Sequence, residues 1–263
     1  MTSYCTSAVQ TPLHAFFTLF FPDDCRICGE PLRLASRIPL CPDCSRSPKR
    51  LAADYFCRSC GTPFENAFPL DAEGRCALCR HGLRGFDAAY CFGSYEGRLR
   101  EWIHLFKYAR VRTFSKPLVE LLAAAVPRSE CFDAIVPVPL HWRKRWQRGF
   151  NQSDLLARGI ARKWGLPVVN ALRRRRFTSA QAGLSNTERR KNVAAAFACR
   201  RPVEGRRILL IDDVLTTGST AAACARTLRA AGAVRIAIAT VARADRRLSA
   251  IPQFTSEEKN HGE

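Results

Sequence analysis

The sequence predicts an α/β protein, a parallel sheet flanked by helices, with a small cysteine-rich module in front of it. Three observations carry this. Eight cysteines fall into four Cys-x-x-Cys pairs between Cys25 and Cys79, residues 207–241 read as strand, loop, helix and strand, and the composition changes after Gly85 from turn-rich to long apolar-periodic segments. A strand–helix–strand unit returns its second strand parallel to the first, and a parallel sheet needs both faces covered.

The chain has 263 residues, 47% of them apolar, enough for one ordinary domain plus a small module. Its longest early apolar stretch, residues 13–21, is too short to cross a bilayer and runs straight into Pro22-Asp-Asp24. No basic residue precedes that stretch and no small-residue cleavage site follows it, so it does not read as a signal peptide. A cytoplasmic protein without a membrane span is expected. The expected division is residues 20–82 for the cysteine module, 86–245 for the α/β domain and 246–263 for a polar, disordered tail.

The cysteine pairs come first along the chain. They are Cys25/Cys28, Cys41/Cys44, Cys57/Cys60 and Cys76/Cys79. Gaps of twelve and fifteen residues separate the pairs within the two expected sites, close to the spacing of structural zinc ribbons. Two residues between cysteines make a tight knuckle that aims both sulfurs at one ion, and two knuckles complete a tetrahedron. Gly29 and Gly61 directly follow the second cysteine of a pair, where a positive φ lets the chain turn back toward the sulfur. Interleaved pairing also satisfies the spacing, but an internal repeat favours sequential pairing: Cys25-Arg-Ile-Cys-Gly-Glu-Pro-Leu32 recurs as Cys57-Arg-Ser-Cys-Gly-Thr-Pro-Phe64. Two zinc ions are expected, each closed by four thiolates and therefore structural. The other five cysteines (Cys5, Cys91, Cys131, Cys199 and Cys224) read as small buried hydrophobes.

Charge divides the chain the same way. Between Cys25 and Arg80 nine Lys/Arg face six Asp/Glu, a difference that thiolate-bound zinc nearly cancels, whereas residues 134–210 hold eighteen Lys/Arg against three Asp/Glu. That surplus suits phosphate-rich ligands, a sugar diphosphate or a nucleic acid backbone alike.

In the α/β domain, residues 86–95 read as a strand and 97–108 as a helix with Leu99, Ile103 and Phe106 on one face. Residues 114–126 read as a second helix, 132–139 as a short buried strand stopped by prolines, and 151–164 as a helix ended by Gly165-Leu-Pro167. Residues 173–201 are basic with little periodicity, a long loop of the kind that is usually functional. The strand–loop–helix–strand unit follows as strand 207–211, loop 212–219, helix 220–231 closed by Gly232, and strand 234–241.

The loop of that unit, Ile211-Asp-Asp-Val-Leu-Thr-Thr-Gly-Ser-Thr220, carries the chemistry. It lies at the carboxyl end of a parallel strand, where ligands of such sheets bind, and it opens a helix whose unpaired amides suit a phosphate. Thr216, Thr217, Ser219 and Thr220 add hydroxyl donors, and Gly218 lets the backbone approach closely. Asp212 and Asp213 would repel a phosphate but accept well from sugar hydroxyls. A phosphate at one end and a diol at the other describe a ribose 5-phosphate.

Residues 208–220 closely resemble the PRPP-binding motif of type I phosphoribosyltransferases. With Val136-Pro-Val-Pro-Leu-His141, Arg148-Gly-Phe-Asn-Gln152, Gln181-Ala-Gly-Leu184 and Arg189…Asn192, the chain resembles the ComF/GntX family of competence proteins from about residue 20 to 243. The resemblance implies a type I phosphoribosyltransferase fold behind a double zinc ribbon. It implies that Asp212 and Asp213 hold the ribose hydroxyls, and that Thr216, Thr217, Gly218, Ser219 and Thr220 hold the 5′-phosphate. It further implies a pyrophosphate loop after Val138-Pro139, with His141, Arg143 and Arg145 as anion ligands, and a flexible loop around residues 181–190 that includes Arg189. Lys107 is a further candidate for the same anion.

Two functions follow from this reading. One is phosphoribosyl transfer from PRPP with Mg²⁺ to an acceptor that the sequence does not name. The other is a non-catalytic role in DNA uptake, in which the site senses PRPP and the basic surface tracks single-stranded DNA or meets a DNA-uptake helicase. Trp142, Trp146 and Phe150 lie among arginines and would stack bases in the second case, or serve as core and lid residues in the first.

Overall fold

The computed structural model describes residues 24–32, 38–81, 85–109, 111–140, 146, 148–175 and 196–244. The cysteine module contributes helix α1 (Pro42–Arg46), a two-residue ribbon of β1 (Tyr55–Phe56) with β2 (Pro63–Phe64), and the single turn α2 (Ala77–Arg80). The α/β domain follows with β3 (Ala88–Ser94), α3 (Gly97–Lys107), a 3-10 turn (Arg112–Phe114), α4 (Ser115–Ala125), β4 (Ala134–Pro137), α5 (Gln152–Trp164), β5 (Leu172–Arg174), β6 (Phe197–Cys199), β7 (Arg207–Leu215), α6 (Ser219–Ala230) and β8 (Arg235–Arg243).

The main sheet is fully parallel, in the order β3-β8-β7-β4. Its central strands read as continuous apolar runs because both faces are covered: Ile208, Leu209, Leu210 and Ile211 are all fully buried, as are Ile236, Ala237, Ile238 and Ala239. One face packs Leu209, Ile211 and Val241 against α3, α4 and α5, with Trp102, Phe106, Phe114 and Leu118 at the centre. The other packs Ile208, Leu210 and Ile238 against α6, the β5–β6 ribbon and the second half of the cysteine module. At the amino ends of the strands Arg207 pairs with Asp133, Arg229 with Asp87 and Arg235 with Glu130, so part of the arginine surplus is balanced far from the carboxyl edge.

Each expected element of the α/β domain is present, with three differences. The strand expected to end at Ile211 runs on to Leu215: Asp212 pairs with Thr240, Val214 with Ala242 and Leu215 with Arg243. The ends of the basic stretch 173–201 are not loop but an antiparallel ribbon, Leu172 opposite Cys199 and Arg174 opposite Phe197, with Phe197 buried and Arg174 over its ring at 5.5 Å. Of the scattered cysteines only Cys224 is buried; Cys91 and Cys199 are half-buried, Cys131 is exposed, and Cys5 lies outside the described residues.

The cysteines pair sequentially. Cys25, Cys28, Cys41 and Cys44 form one tetrad, Cys57, Cys60, Cys76 and Cys79 the other, with all sulfurs of each within 4.8 Å of one another. The Cys28–Cys41 and Cys60–Cys76 sulfur pairs are both 3.7 Å apart. A tetrahedron with Zn–S bonds of about 2.3 Å has edges of about 3.8 Å, so the donor sets fit zinc. Backbone amides of Cys44 and Cys76 donate to Cys41 Sγ and Cys57 Sγ, at 3.4 and 3.3 Å. Gly29 and Gly61 take positive φ, +79° and +63°, as the knuckle requires.

Candidate functional site

The carboxyl edge of the sheet gathers residues from β7, α3, α5 and α6. β7 delivers Asp212 and Asp213 at its end, and because strand side chains alternate, the two carboxylates leave the sheet on opposite faces. Asp213 falls on the α3 side, where the last residue of that helix, Lys107, holds it in an ion pair at 2.8 Å. Both side chains of this pair are 12% exposed, so the contact is largely shielded from water. Burial opposes the charge on Lys107, but Asp213, its hydrogen bond and Asp212 together raise the ammonium above its usual range. Asp212 accepts from Ser153 Oγ at 2.9 Å and from the Asp213 amide at 2.9 Å. Burial, then the neighbouring Asp213 charge, push the Asp212 carboxyl up to about 7; Ser153, Lys107 and the amide act the other way.

The turn from β7 into α6 is built on Gly218, whose φ of +75° places it in the left-handed region at the N-cap. Thr217 Oγ1 lies 2.9 Å from Ser219 Oγ and accepts from the Ser219 amide at 3.4 Å. Thr216 and Thr217 are exposed, Ser219 and Thr220 half-exposed. The first turn of α6 carries no acidic residue, so nothing in the helix itself offsets the positive end of its dipole. Asn151, before α5, fixes the end of β4 by donating Nδ2 to the Val138 carbonyl at 3.1 Å.

Beside Lys107 lies a cluster of rings. His104 sits 6.2 Å from Tyr95 and 5.2 Å from Tyr108, and the Arg148 guanidinium lies 5.2 Å over the Tyr108 ring. Burial, then Arg100 and Lys107, hold His104 below its usual range. Phe150 is buried, whereas Trp146 is 84% exposed.

The structure thus brings Asp212, Asp213, Thr216, Thr217, Gly218, Ser219, Thr220 and Lys107 to one edge. His141, Arg143, Arg145 and Arg189 lie outside the described residues, as do Trp142 and residues 181–190. Ser153, whose hydroxyl is hydrogen-bonded to Asp212, is missing from the sequence reading. It is the residue directly after the Arg148–Gln152 motif, and its place in the first turn of a helix that starts at the same edge was the available signal.

Two family profiles match the chain: a double zinc ribbon domain over residues 16–80 and a phosphoribosyl transferase domain over residues 152–254. Together with the parallel sheet and the cysteine tetrads, they define a protein of phosphoribosyltransferase fold carrying a double zinc ribbon. Over 230 residues the chain is 32% identical to the DNA utilization protein YhgH of Escherichia coli (strain K12), covering 84% of this chain and 96% of that one. It is 31% identical over 235 residues to Competence protein F of Haemophilus influenzae, covering 86% and 99%, and 27% identical over 196 residues to Competence protein ComFC of Bacillus subtilis, covering 72% and 77%. The chain belongs to this family of competence and DNA utilization proteins.

Proposed function

We propose that the chain binds PRPP, or another ribose 5-phosphate ligand, at the edge formed by β7 and α6, and serves DNA uptake or utilization as its relatives' names indicate. The observation that carries this is the Asp212–Asp213 pair set immediately before the Gly218 turn, with Lys107 beside it. Asp212 and Asp213 accept the ribose 2′- and 3′-hydroxyls. The amides and hydroxyls of residues 216–220 receive the 5′-phosphate, aided by the helix dipole. Ser153 orients Asp212, and Lys107 faces the sugar side as a cation able to exchange Asp213 for the anion at C1.

In phosphoribosyl transfer, positive charge develops at C1 as pyrophosphate departs, and fixed cations stabilise that transition state. Bound Mg²⁺ would supply further neutralisation of the pyrophosphate. In this reading His141, Arg143, Arg145 and Arg189 supply the remaining cations. The surplus of basic residues between 134 and 210 supports a polyanion as the wider partner, single-stranded DNA or a DNA-uptake helicase carrying it. Eight metal-binding thiolates fit a reducing, cytoplasmic setting. No helix among the described residues is long and apolar enough to cross a membrane.

Titration calorimetry of the zinc-loaded chain with PRPP and Mg²⁺ tests the reading. Binding is expected in the unaltered chain and loss of at least about tenfold in affinity in Asp212→Asn/Asp213→Asn, since two charge-assisted hydrogen-bond acceptors are weakened. A folded chain that takes up no PRPP would sink it.

A further inference from the structure

The end of β8 holds a charge that the phosphate site does not use. Arg243 is 5% exposed. Its Nη1 donates to the Cys60 carbonyl at 2.7 Å and its Nη2 to Thr62 Oγ1 at 2.5 Å, while Nε is buried without a partner. No carboxylate pairs with it among the described residues. A guanidinium taken out of water with nothing to balance it is strongly destabilising, so an anion must stand close by.

The chemistry of the second tetrad provides one. Thr62 Oγ1, which accepts from Arg243, lies 2.9 Å from Cys60 Sγ. The hydroxyl has one proton to give and can give it to that sulfur. Four thiolates around one divalent ion carry a net charge of −2, whereas four thiols would carry none and leave Arg243 unbalanced. The other sulfur nearby, Cys91, accepts from Thr240 Oγ1 at 3.1 Å and is also within reach of Arg243, which favours its thiolate, but burial outweighs both and pushes the thiol up, so it offers no fixed negative charge. We propose that Arg243 is the buried counter-charge of the second zinc site, acting on the Cys60 thiolate through the Thr62 hydroxyl.

The same residue ties that metal site to the phosphate-binding edge. Its backbone pairs with Leu215 and Ser94, and its carbonyl accepts from the Tyr95 amide at 2.8 Å. Leu215 is the last residue before the Thr216–Thr217 turn. Among the described residues the first tetrad shows no equivalent: Cys28 is exposed, and Arg98, which acts on Cys44 and Cys28, is 44% exposed and shared with Glu101 and the Ile27 carbonyl.

Zinc release from the full chain to a chromogenic chelator tests this without reference to PRPP. The unaltered chain is expected to release its two ions in two phases, the first tetrad fast and the second slow. Arg243→Met should speed the slow phase by up to about 10–100-fold, the affinity that a metal site loses with an outer partner appearing in the off-rate, and leave the fast phase unchanged. Arg243→Lys, which keeps the charge, should restore most of the delay. With Co²⁺ in place of zinc, the sulfur-to-metal charge-transfer band should move to lower energy in Arg243→Met, because the thiolate loses the positive charge that polarises the Thr62 hydroxyl toward it. If Arg243→Met does not fold, Thr62→Val removes only the relaying hydroxyl at nearly constant volume and should move both readouts the same way. A slow phase and a cobalt spectrum unchanged in whichever variant folds would overturn the proposal.

Discussion

Asp212 is a carboxyl whose folded environment works against its charge, and this gives the site a pH dependence with a definite sign. Burial and the adjacent Asp213 push it to about 7, against about 3.9 for an unfolded aspartate. Ribose hydroxyls donate to an ionised carboxylate more strongly than to a protonated one. Affinity for ribose 5-phosphate should therefore climb as pH rises through about 7 and level off above it. The ligand's own phosphate titrates near pH 6, so two steps are expected, and Asp212→Asn should erase only the upper one. The same shift acts on stability in the opposite sense. Between pH of about 4 and 7 the folded chain binds more protons than the unfolded one, so ligand-free stability falls as pH rises through that window. Asp212→Asn, uncharged in both states, should unfold at a higher temperature than the unaltered chain at pH 8, and the gap should narrow at pH 6. A gap that does not change between those pH values would remove Asp212 as its cause.

At the scale of elements, the packing of α4 against α5 turns on one glycine. Gly159 sits in the interior of α5, where replacement by Ala ordinarily gains about 1 kcal/mol. A Cβ there would meet the Val119 methyls of α4 well inside van der Waals contact. Valine is stiff at χ1 and cannot swing aside, so the helices would have to separate. Gly159→Ala should cost about 1–3 kcal/mol, read as a lower urea midpoint, and Val119→Ala in the same chain should recover part of it. Nothing in the sequence marks Gly159 as a contact, because helical spacing shows which face is apolar but not what lies opposite. The apolar run 208–211 and the periodicity of α3, α4 and α5 were legible for the converse reason: burial on a face writes itself into residue type. The continuation of β7 through Asp212–Leu215 was not, since an Asp-Asp pair before Thr-Thr-Gly carries the local signal of a turn. Pairing to Thr240, Ala242 and Arg243 decides it instead. The β5–β6 ribbon escaped for a similar reason: its strands have three residues each and acquire strand character only from one another. Asp212, Asp213 and the 216–220 turn were readable as a unit because they are contiguous; Lys107 was readable as an anion candidate but not as the partner of Asp213, and Ser153 not at all, since both reach the pair only through the fold.

Across the whole molecule the two zinc tetrads are alike in sequence and unlike in energetic position. Cys25 and Cys44 form a small cluster of their own with Leu32, joined to the α/β core through Ile27 and Leu40. Cys57, Cys60, Cys76 and Cys79 belong to the main core itself, among Phe64, Phe86, Ala89 and Leu215. The contact is intimate: a Cβ on Gly61 would lie 2.7 Å from the Ala89 carbonyl of β3. The second ribbon therefore shares the core of the α/β domain, whereas the first is attached to it through a smaller contact. Metal binding energy in such modules is folding energy, so where each ion sits determines how far its loss propagates. Cys28→Ser should leave a chain with one zinc by native mass spectrometry, an intact far-ultraviolet spectrum and an unfolding midpoint lowered by about 2–4 °C for each kcal/mol lost. Cys60→Ser removes a fully buried ligand and strands Arg243 beside it, so loss of cooperative unfolding and of PRPP binding together is expected. Equal melting behaviour of the two variants would show instead that both ribbons hang on the α/β domain as passengers, with the sheet folding irrespective of either metal.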